Sequence, residues 1–520
     1  MGYRGSIAEY FHDSTKYRPE TIAKAAGAMQ GPQPDTFKTY RLGTAVDLKP
    51  YLDEAKVAPQ ASYEERSWAR LSHFLINVYG LTAKMQTAYG QVFFLRSAPS
   101  AGGLYPTELY VVSRGTALLP AGLYNYQART HNLWRFWDDH VWQGLQEACF
   151  WHPALEHTQL AVVLTSVFYR SAWRYHDRAY RRVCLDAGHI LGNLEAAGAL
   201  VDYRPHLIGG FADHLLNQLM YLDEASESVV AVTALADLLQ VDQNLPRTNT
   251  TQSVKQPVAF EIPASGDLLA PLHQATCLDA DADCRWETRS PQVADPLLPP
   301  QNAIADDKYN FPFCTRVSTL TSPIHWDEQL QGLERTILRR RSTRQFNGAN
   351  LTLDELNTLL DFAYQPQHYI EQGLDGDPDF FDLSLIQSFV AVSGIDGLDA
   401  GCYYYAPQAQ ELRQIRFKNF REELHYLCLG QNLGRDAGAV VFHTADLRQA
   451  IAQYGDRAYR YLHLDAGHLG QKLNLAAIRL GLGVSGIGGF FDDQVNEVLG
   501  IPEDEAVLYI TTLGRPESDP

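Results

Sequence analysis

The sequence is poor in cysteine and has no long apolar run. Seven cysteines are scattered over 520 residues, and no Cys-x-x-Cys pair occurs among them. The closest pair, Cys277 and Cys284, has no neighbouring His/Cys couple that would complete a zinc pattern. The N-terminal segment holds no signal-peptide stretch, and no run of about 18 apolar residues could span a bilayer. We therefore expect a cytoplasmic protein with reduced thiols, no metal and no membrane contact.

Positive charge is also scarce. The chain has 43 Lys and Arg against 61 Asp and Glu, which gives a net charge of −18. Such an acidic surface favours solubility and argues against a nucleic acid or an anionic membrane as a partner. Any phosphate-binding site must then come from a local cluster of basic residues.

A long internal repeat is the strongest pattern in the sequence. The segment YHDRAYRRVCLDAGHILGNL begins at Tyr175, and YGDRAYRYLHLDAGHLGQKL begins at Tyr454. Twelve of their 20 positions are identical at an offset of 454 − 175 = 279. The same offset aligns Ile208-Gly-Gly-Phe with Ile487-Gly-Gly-Phe. Because single cores stop growing at about 250–300 residues, we interpret this repeat as a duplicated domain.

The repeat predicts the domain organisation. Copy one is expected to span residues 1–240 and copy two residues 325–520. The stretch 241–324, rich in Pro, Asp, Gln and Thr, is expected to be a connector between them. Its length suits two domains that pack side by side as an intramolecular pseudo-dimer. Helical and strand-like patterns do not alternate as a βαβ series would require, so the expected class is α+β.

A basic cluster at 339–344 could bind phosphate. It reads Arg-Arg-Arg-Ser-Thr-Arg, four arginines in six residues, at the end of a predicted helix. Guanidinium groups bind phosphate oxygens bidentately, and a Ser hydroxyl adds a neutral donor. A solvated helix end is the alternative, because arginine also suits the dipole there.

Two glycine-containing segments complete the set of motifs. In the loop 97–106, small residues at 100–103 would let the backbone approach a planar ligand closely, although an ordinary tight loop is the alternative. The turn 486–490, Gly-Ile-Gly-Gly-Phe, could present backbone N–H groups to the edge of a planar ligand, or could simply end a helix. The string Gly-x-Gly-x-x-Gly at 481–486 follows a helix, so we reject dinucleotide binding there.

Together these motifs resemble the flavin-binding elements of the nitroreductase superfamily. The wording SAPSAGGLYPTELYVV at 97–112 is similar to that of the SagB-type azoline dehydrogenases, including cyanobactin oxidases. The resemblance implies FMN between two nitroreductase-like domains, with one copy giving the Arg-x-Ser-x-Arg element and the Gly-Gly turn and the other giving the Pro-Ser loop. The cofactor-binding residues that it implies are Pro99, Ser100, Ala101, Gly103, Arg340, Ser342, Arg344, Gly488, Gly489 and, by a looser match, Arg515.

The motifs are divided between the copies. Copy one keeps the Pro-Ser loop but has no Arg-Arg-Ser element, and the offset of 279 places Glu65 opposite Arg344. Copy two keeps the arginines but reads Pro-Asp-Phe-Phe-Asp at 378–382, where Asp379 and Asp382 would repel phosphate or leave no room for a ring. We therefore predict one complete composite site and one FMN per chain.

The resemblance also implies a reaction. A base removes the Cα proton of a thiazoline or oxazoline in a ribosomally made peptide, and a hydride passes to flavin N5. Tyr459 is the candidate proton-handling residue. Alternatively, both Tyr459 and Tyr180 are structural, since the tyrosine occurs in both copies and only one copy should be catalytic. The implied partners are the azoline-containing precursor peptide and the cyclodehydratase that makes the ring; association of two chains stays open. The alternatives are an NAD(P)H-dependent nitro or quinone reductase and a peptide-binding pseudoenzyme.

Overall fold

The computed structural model describes residues 2–22, 31–53, 61–86, 90, 92–255, 259–263, 267–287, 307–312 and 314–517. Two seven-stranded sheets dominate these residues. The strands of the first half are β1 (Gly2–Arg4), β2 (Thr44–Asp47), β3 (Leu81–Gln86), β4 (Val92–Arg96), β5 (Thr107–Ser113), β6 (Gly122–Gln127), β7 (Asn132–Trp137), β8 (Leu160–Val167), β9 (Tyr203–Ile208) and β10 (Glu227–Asp237).

The second half follows the same plan. Two strands, β11 (Ala259–Glu261) and β12 (Arg316–Ser318), lie between the copies. The strands of copy two are β13 (Leu351–Thr352), β14 (Gln387–Val392), β15 (Ile395–Asp396), β16 (Gly401–Ala406), β17 (Glu411–Arg416), β18 (Ala439–Asp446), β19 (Gly483–Ile487) and β20 (Glu505–Gly514). Strand order in the first sheet is β2-β7-β6-β5-β8-β10-β9, and in the second β12-β17-β16-β14-β18-β20-β19. The two orders are identical position by position, and the α+β class and the tandem duplication are confirmed.

Helices cover the sheets. They are α1 (Ile7–Ser14), α2 (Tyr63–Tyr79), α3 (Trp142–Ala148), α4 (Ala154–His157), α5 (Phe168–Tyr175), α6 (Ala179–Leu200), α7 (Asp213–Leu219), α8 (Leu269–Ala275), α9 (Gln331–Arg339), α10 (Leu353–Tyr364), α11 (Arg421–Leu427), α12 (Asn432–Arg435), α13 (Leu447–Tyr454), α14 (Ala458–Arg479) and α15 (Asp492–Leu499). Within the described ranges, none of them combines the length and the apolar character that crossing a bilayer requires.

The two longest helices, α6 and α14, form the centre of the molecule. Both are buried almost along their whole length, including charged residues such as Asp186 and Lys472. Gly188 and Gly467, which the offset of 279 pairs, lie where they cross. A Cβ on Gly188 would lie 2.1 Å from the carbonyl oxygen of Leu464, and one on Gly467 would lie 2.3 Å from that of Leu185. The close crossing therefore requires glycine at both positions.

Buried ion pairs also join the halves. Asp492 of the second half accepts hydrogen bonds from Arg178 at 2.8 Å and Arg181 at 2.7 Å, and all three side chains are almost fully buried. Burial alone would raise the pKa of Asp492, but the two guanidinium groups outweigh it and hold that pKa below its ordinary value. An equivalent cluster has the halves exchanged: Asp213 of the first half accepts hydrogen bonds from Arg457 at 2.6 Å and Arg460 at 2.7 Å, both of the second half.

The offset of 279 does not extend to the N-terminal part of the copies. Helices α2 and α10 both begin with a capping box, at Ser62 with Glu65 and at Thr352 with Glu355, and they pack on α6 and α14 respectively. Glu65 thus corresponds to Glu355, at an offset of 290, and the placement of Glu65 opposite Arg344 is wrong. The range expected as a connector contains α8 and also β12, which forms the edge of the second sheet.

We expect Asp492→Ala to destabilise the protein by about 3–5 kcal/mol, because it leaves two buried guanidinium groups without a counter-charge. Asp213→Ala should have a similar effect, since its cluster is equivalent. The neighbouring Asp493, whose side chain is 47% exposed and pairs with Lys16, is the control: Asp493→Ala should cost about 1 kcal/mol or less. Thermal unfolding followed by circular dichroism measures all three. Equal melting temperatures for Asp492→Ala and Asp493→Ala would contradict the cross-half role.

Candidate functional site

A cavity of about 130 Å³ lies between the two halves. It continues into an open cleft of about 750 Å³, and the two share Gly102, Gly103 and Arg344. The predicted cofactor-binding residues that line the cavity are Pro99, Ser100, Ala101, Gly103, Ser342, Arg344 and Gly488. Segments from both copies therefore meet at one place.

The Pro-Ser loop is held by a carboxylate. Asp186 on α6 accepts hydrogen bonds from the Ser100 hydroxyl at 2.6 Å and from the Ala101 N–H at 3.1 Å. Gly102 and Gly103 both have a φ of +66°, which glycine adopts without strain. A Cβ on Gly103 would meet no atom within 4 Å, so the loop presents bare backbone to open space.

Arg340 binds the backbone at the start of this loop. Its guanidinium, 3% exposed, donates from Nε to the Ser97 carbonyl at 2.7 Å and from Nη2 to the Arg96 carbonyl at 3.0 Å. Burial lowers the pKa of Arg340 to about 10. Nη1 is buried without a partner among the described residues. The structure places Arg340 beneath the loop that lines the cavity, where it ties copy two to copy one.

Arg344 presents a free cation at the mouth of the cavity. Its segment is fixed because the Thr343 N–H donates to the Val484 carbonyl at 2.8 Å, while the Val484 N–H donates to the Thr343 hydroxyl at 2.9 Å. Arg344 itself is exposed, and no acidic side chain lies within 4 Å of it in the part of the chain that the structure describes. Ser342, which also lines the cavity, is half-buried.

Two other predicted ligands lie apart from this cavity. Gly489 is not among the lining residues of the cavity, and a Cβ there would lie 3.2 Å from Leu429 and 3.8 Å from both Arg182 and Tyr17. Arg515 pairs with Glu355 at 2.8 Å and donates to the Asn350 carbonyl at 3.2 Å. The loose match of Arg515 to a phosphate ligand is not supported by this geometry, because its guanidinium already has a carboxylate partner.

Tyr459 is sealed inside the protein and does not line the cavity. It is 0% exposed, its hydroxyl lies 3.2 Å from His12 Nδ1, and its ring packs edge-on against Phe11. Burial raises the pKa of Tyr459 to about 12. Tyr180 in the first copy is equally buried beside His273. The structure therefore corrects the expectation that Tyr459 handles a proton: both tyrosines occupy equivalent structural positions.

The cavity also has lining residues that the motifs did not indicate, namely Arg182, Asp186, Asn474, Ser485 and Tyr509. Burial raises the pKa of Asp186 to about 7, although its hydrogen bonds from Ser100 and Ala101 oppose that rise. For two of these residues, the internal repeat could have indicated a role in the cavity. The offset of 279 pairs Arg182 with a tyrosine and Asn474 with a glutamate, so these positions differ between otherwise similar segments.

The equivalent position on the other side of the pseudo-twofold axis is filled by aromatic rings. Phe380 and Phe381 stand where the first copy has Ala101 and Gly102. The Phe380 ring stacks on His468 with centroids 4.1 Å apart. The Phe381 ring lies against Gly209, where a Cβ would come within 2.4 Å of it. The two rings thus occupy the space that is open beside Ala101 and Gly102, although a cavity of about 270 Å³ remains next to them, lined by Pro378, Asp379 and His468.

The fold and the site define a two-domain protein in which the Pro-Ser loop of one copy and the arginine segment of the other line a composite cavity that suits a planar, anionic cofactor. A family model described as the nitroreductase family matches residues 75–236 and 337–515. This chain belongs to the nitroreductase family, and it is an oxidoreductase.

Known relatives agree with that assignment. A crystal structure of an Anabaena variabilis protein that carries the name nitroreductase has a TM-score of 0.90 and 59% identity, covering 98% of this chain and 100% of that one. A Methanocaldococcus jannaschii protein, also named as a nitroreductase, is 32% identical over 34% of this chain and 88% of its own length. An NADPH-flavin oxidoreductase of Vibrio harveyi is 44% identical over 11% of this chain and 25% of its own length.

FMN is the cofactor to which these relationships point, and the cavity fits it. Gly103 leaves open space for a flat ring, and Arg344 offers an unpaired cation for phosphate. The buried Nη1 of Arg182, which lines the cavity, lacks an acceptor among the described residues.

We expect the purified protein to contain about one FMN per chain, because Phe380 and Phe381 close the second position. The measurement is the absorbance of flavin released by denaturation, set against the protein concentration. Two flavins per chain would show that the aromatic rings move aside and that the second position still binds.

We also expect Arg344→Ala to weaken FMN binding by about 10- to 100-fold, since a charge-assisted hydrogen bond contributes about 1.5–3 kcal/mol. Arg515→Ala, which removes an arginine paired with Glu355 outside the cavity, is the matched control and should change FMN affinity little. Titration of the flavin-free protein with FMN gives both dissociation constants. Equal losses would place Arg515 in the phosphate site after all.

Proposed function

We propose that this chain is a SagB-type FMN-dependent dehydrogenase that oxidises thiazoline or oxazoline rings in a ribosomally made peptide. The observation that carries the proposal is the cleft beside the FMN cavity, whose size and lining suit a peptide substrate. The sequence resemblance at 97–112 supports the same reading.

The cleft is large and apolar. Its volume is about 750 Å³, and its apolar side chains are Pro34, Phe37, Met85, Val92, Phe93, Phe94 and Leu95. Met85 and Phe93 face each other across the β3–β4 hairpin and are 56% and 46% exposed. A contiguous exposed apolar surface usually marks a binding site. A nitro compound or a quinone needs no such surface, whereas the side chains that flank a ring in a peptide would bury it.

A tyrosine lies where the proton-handling residue is needed. Tyr175 ends α5, is half-buried, and places its hydroxyl against the glycine loop: a Cβ on Gly102 would lie 2.7 Å from Tyr175 Oη. Its counterpart Tyr454 differs, because its hydroxyl donates to the Asp382 carboxylate at 2.9 Å. We therefore propose Tyr175, in place of Tyr459, as the hydroxyl that handles a proton of the bound substrate.

The remaining parts of the proposal follow from the chemistry of the reaction. When bound, FMN supplies the two-electron acceptor, and O2 would reoxidise it. Ser100, Ala101 and Gly103 would orient the ring system, and the apolar cleft would exclude water from it. The partners are the azoline-containing precursor peptide and the cyclodehydratase that forms its rings.

A second candidate is an NAD(P)H-dependent reductase of nitro compounds or quinones. The segment shared with the Vibrio harveyi NADPH-flavin oxidoreductase favours it. The two candidates differ in their electron donor, because the dehydrogenase takes electrons from the azoline and the reductase takes them from NAD(P)H.

Incubation of the FMN-loaded protein with an azoline peptide, followed by mass spectrometry, tests the proposal. We expect the loss of two hydrogens for each ring converted, and slow NADH and NADPH oxidation in parallel assays. Phe93→Ser should raise KM for the peptide while leaving the flavin content unchanged, because it alters only the cleft. An unchanged peptide mass together with rapid NAD(P)H oxidation would establish the reductase instead. Bound flavin with neither activity would indicate a peptide-binding pseudoenzyme.

We expect Tyr175→Phe to slow azoline oxidation by about 10²- to 10⁴-fold, the usual range for a general acid–base group. Flavin content should stay the same, since the hydroxyl is needed only for proton transfer. Tyr454→Phe and Tyr459→Phe are the matched controls, and both should oxidise the peptide at close to the wild-type rate. Single-turnover flavin reduction by the peptide, followed by absorbance, gives the three rates. A slow Tyr459→Phe variant with a normal melting temperature would restore Tyr459 to the reaction.

A further inference from the structure

Arg182 is a buried arginine with an unused donor in the FMN cavity. It lies on α6 and is 6% exposed, and it lines the cavity beside Gly488, where a Cβ would lie 3.4 Å from Arg182 Nε. Its guanidinium carbon lies 3.8 Å from the centre of the Tyr175 ring. In the described part of the chain, Nη1 has no hydrogen-bond acceptor and no carboxylate lies within 4 Å of the guanidinium.

Two nearby arginines show what a structural arginine looks like here. Arg178, just before α6, and Arg181, on α6, are equally buried, and both bind the Asp492 carboxylate. Each of them also has a buried nitrogen without an acceptor among the described residues, so the feature that sets Arg182 apart is the missing carboxylate. A buried charge without a counter-charge is costly, and a bound ligand that accepts from Arg182 would reduce that cost.

The repeat makes the same distinction. The offset of 279 pairs both structural arginines with arginines in the second copy, but it pairs Arg182 with Tyr461. The Tyr461 hydroxyl donates to the Gly209 carbonyl at 3.0 Å, and its ring stacks on Phe381 with centroids 4.7 Å apart. The unpaired arginine thus lines the cavity beside Gly102, and a hydrogen-bonded tyrosine occurs where Phe381 fills the equivalent space.

The surroundings indicate which kind of atom Arg182 binds. The carboxyl group of Asp186 lies one turn further along α6 and lines the same cavity. A phosphate dianion is disfavoured beside a second acid, and the exposed Arg344 already offers a cation for it. A carbonyl oxygen of a flat ring or an amide needs only one donor and carries little charge, which suits a single buried N–H.

We propose that Arg182 binds a carbonyl oxygen of the bound ligands by donating from Nη1, either in the pyrimidine ring of the flavin or in the peptide bond beside the azoline. The proposal rests on the FMN cavity described above. It adds a ligand-binding residue from copy one that faces the Gly-Gly turn of copy two.

The test compares Arg182→Gln and Arg182→Lys with Arg448→Gln, which removes an arginine whose side chain is 89% exposed. Dissociation constants are measured for FMN and for riboflavin, which lacks the phosphate, and KM is measured for an azoline peptide. If the acceptor is the flavin, Arg182→Gln weakens FMN and riboflavin by the same factor, about tenfold or more. If it is the peptide, flavin affinities stay constant and KM rises by a similar factor. Arg182→Lys should recover part of either loss, and it replaces Arg182→Gln if that variant does not fold.

Two results would overturn the inference. A loss of FMN affinity without a loss of riboflavin affinity would assign Arg182 to the phosphate, and wild-type values for every constant would make it a packing partner of Tyr175. Neither result affects the proposed function, whose own failure appears separately, as a wild-type protein that retains flavin but does not oxidise the azoline peptide.

Discussion

The contact on which the rest of the structure depends is the crossing of α6 and α14 at Gly188 and Gly467. Any side chain at either position would meet a carbonyl oxygen of the opposite helix. Because the helices cross so closely, the loop after β4 in one half reaches the turn after β19 in the other. Neither half holds both segments, so the cavity exists only because the halves are in contact.

The buried ion clusters make this arrangement specific. Asp492 and Asp213 each bind two arginines of the opposite half, and among the residues that the structure describes none of these groups forms an ion pair within its own half. Removing one carboxylate would leave two buried cations, which is far more costly than losing an exposed pair. The clusters therefore fix which surfaces of the two copies meet. They are duplicated exactly as the sheets are, which identifies them as part of the shared scaffold.

Much of the architecture was predictable from the sequence because repetition and apolar patterning report directly on packing. The aligned segments at Tyr175 and Tyr454 predicted two domains of one class. Local motifs also indicated the segments that the structure brings to the cavity. They could not indicate direction: on a helix buried on all sides, the sequence does not say whether Tyr459 points to the ligand or away from it. The motif around Arg340 likewise specifies an arginine but not whether its partner is a phosphate or a backbone carbonyl.

The alignment of the two copies was the other feature that the sequence could not give throughout. The offset of 279 holds from the Pro-Ser loop onwards, but 290 − 279 = 11 residues separate the copies at α2 and α10. A gap inside low-identity sequence leaves no mark that a single chain could show. Only the shared capping boxes at Ser62 and Thr352, together with their packing, reveal the true equivalence of Glu65. The offset of 279 therefore aligns Arg344 with Glu65, which in fact belongs to the first turn of α2.

Comparison of the two positions across the pseudo-twofold axis separates structure from function. Asp465 accepts hydrogen bonds from the N–H groups of Phe381 and Asp382 at 3.0 and 2.8 Å, just as Asp186 holds the Pro-Ser loop. Because this loop anchor persists where aromatic rings fill the space, it belongs to the fold and is no sign of a ligand. The clearest difference between the two positions is Arg182, which lines the cavity without a carboxylate partner among the described residues, whereas its counterpart Tyr461 is hydrogen-bonded and packed on Phe381. In a chain with a net charge of −18, acidic partners are plentiful, so a buried arginine without one is an informative feature. That asymmetry supports the open cavity as the position that binds the cofactor.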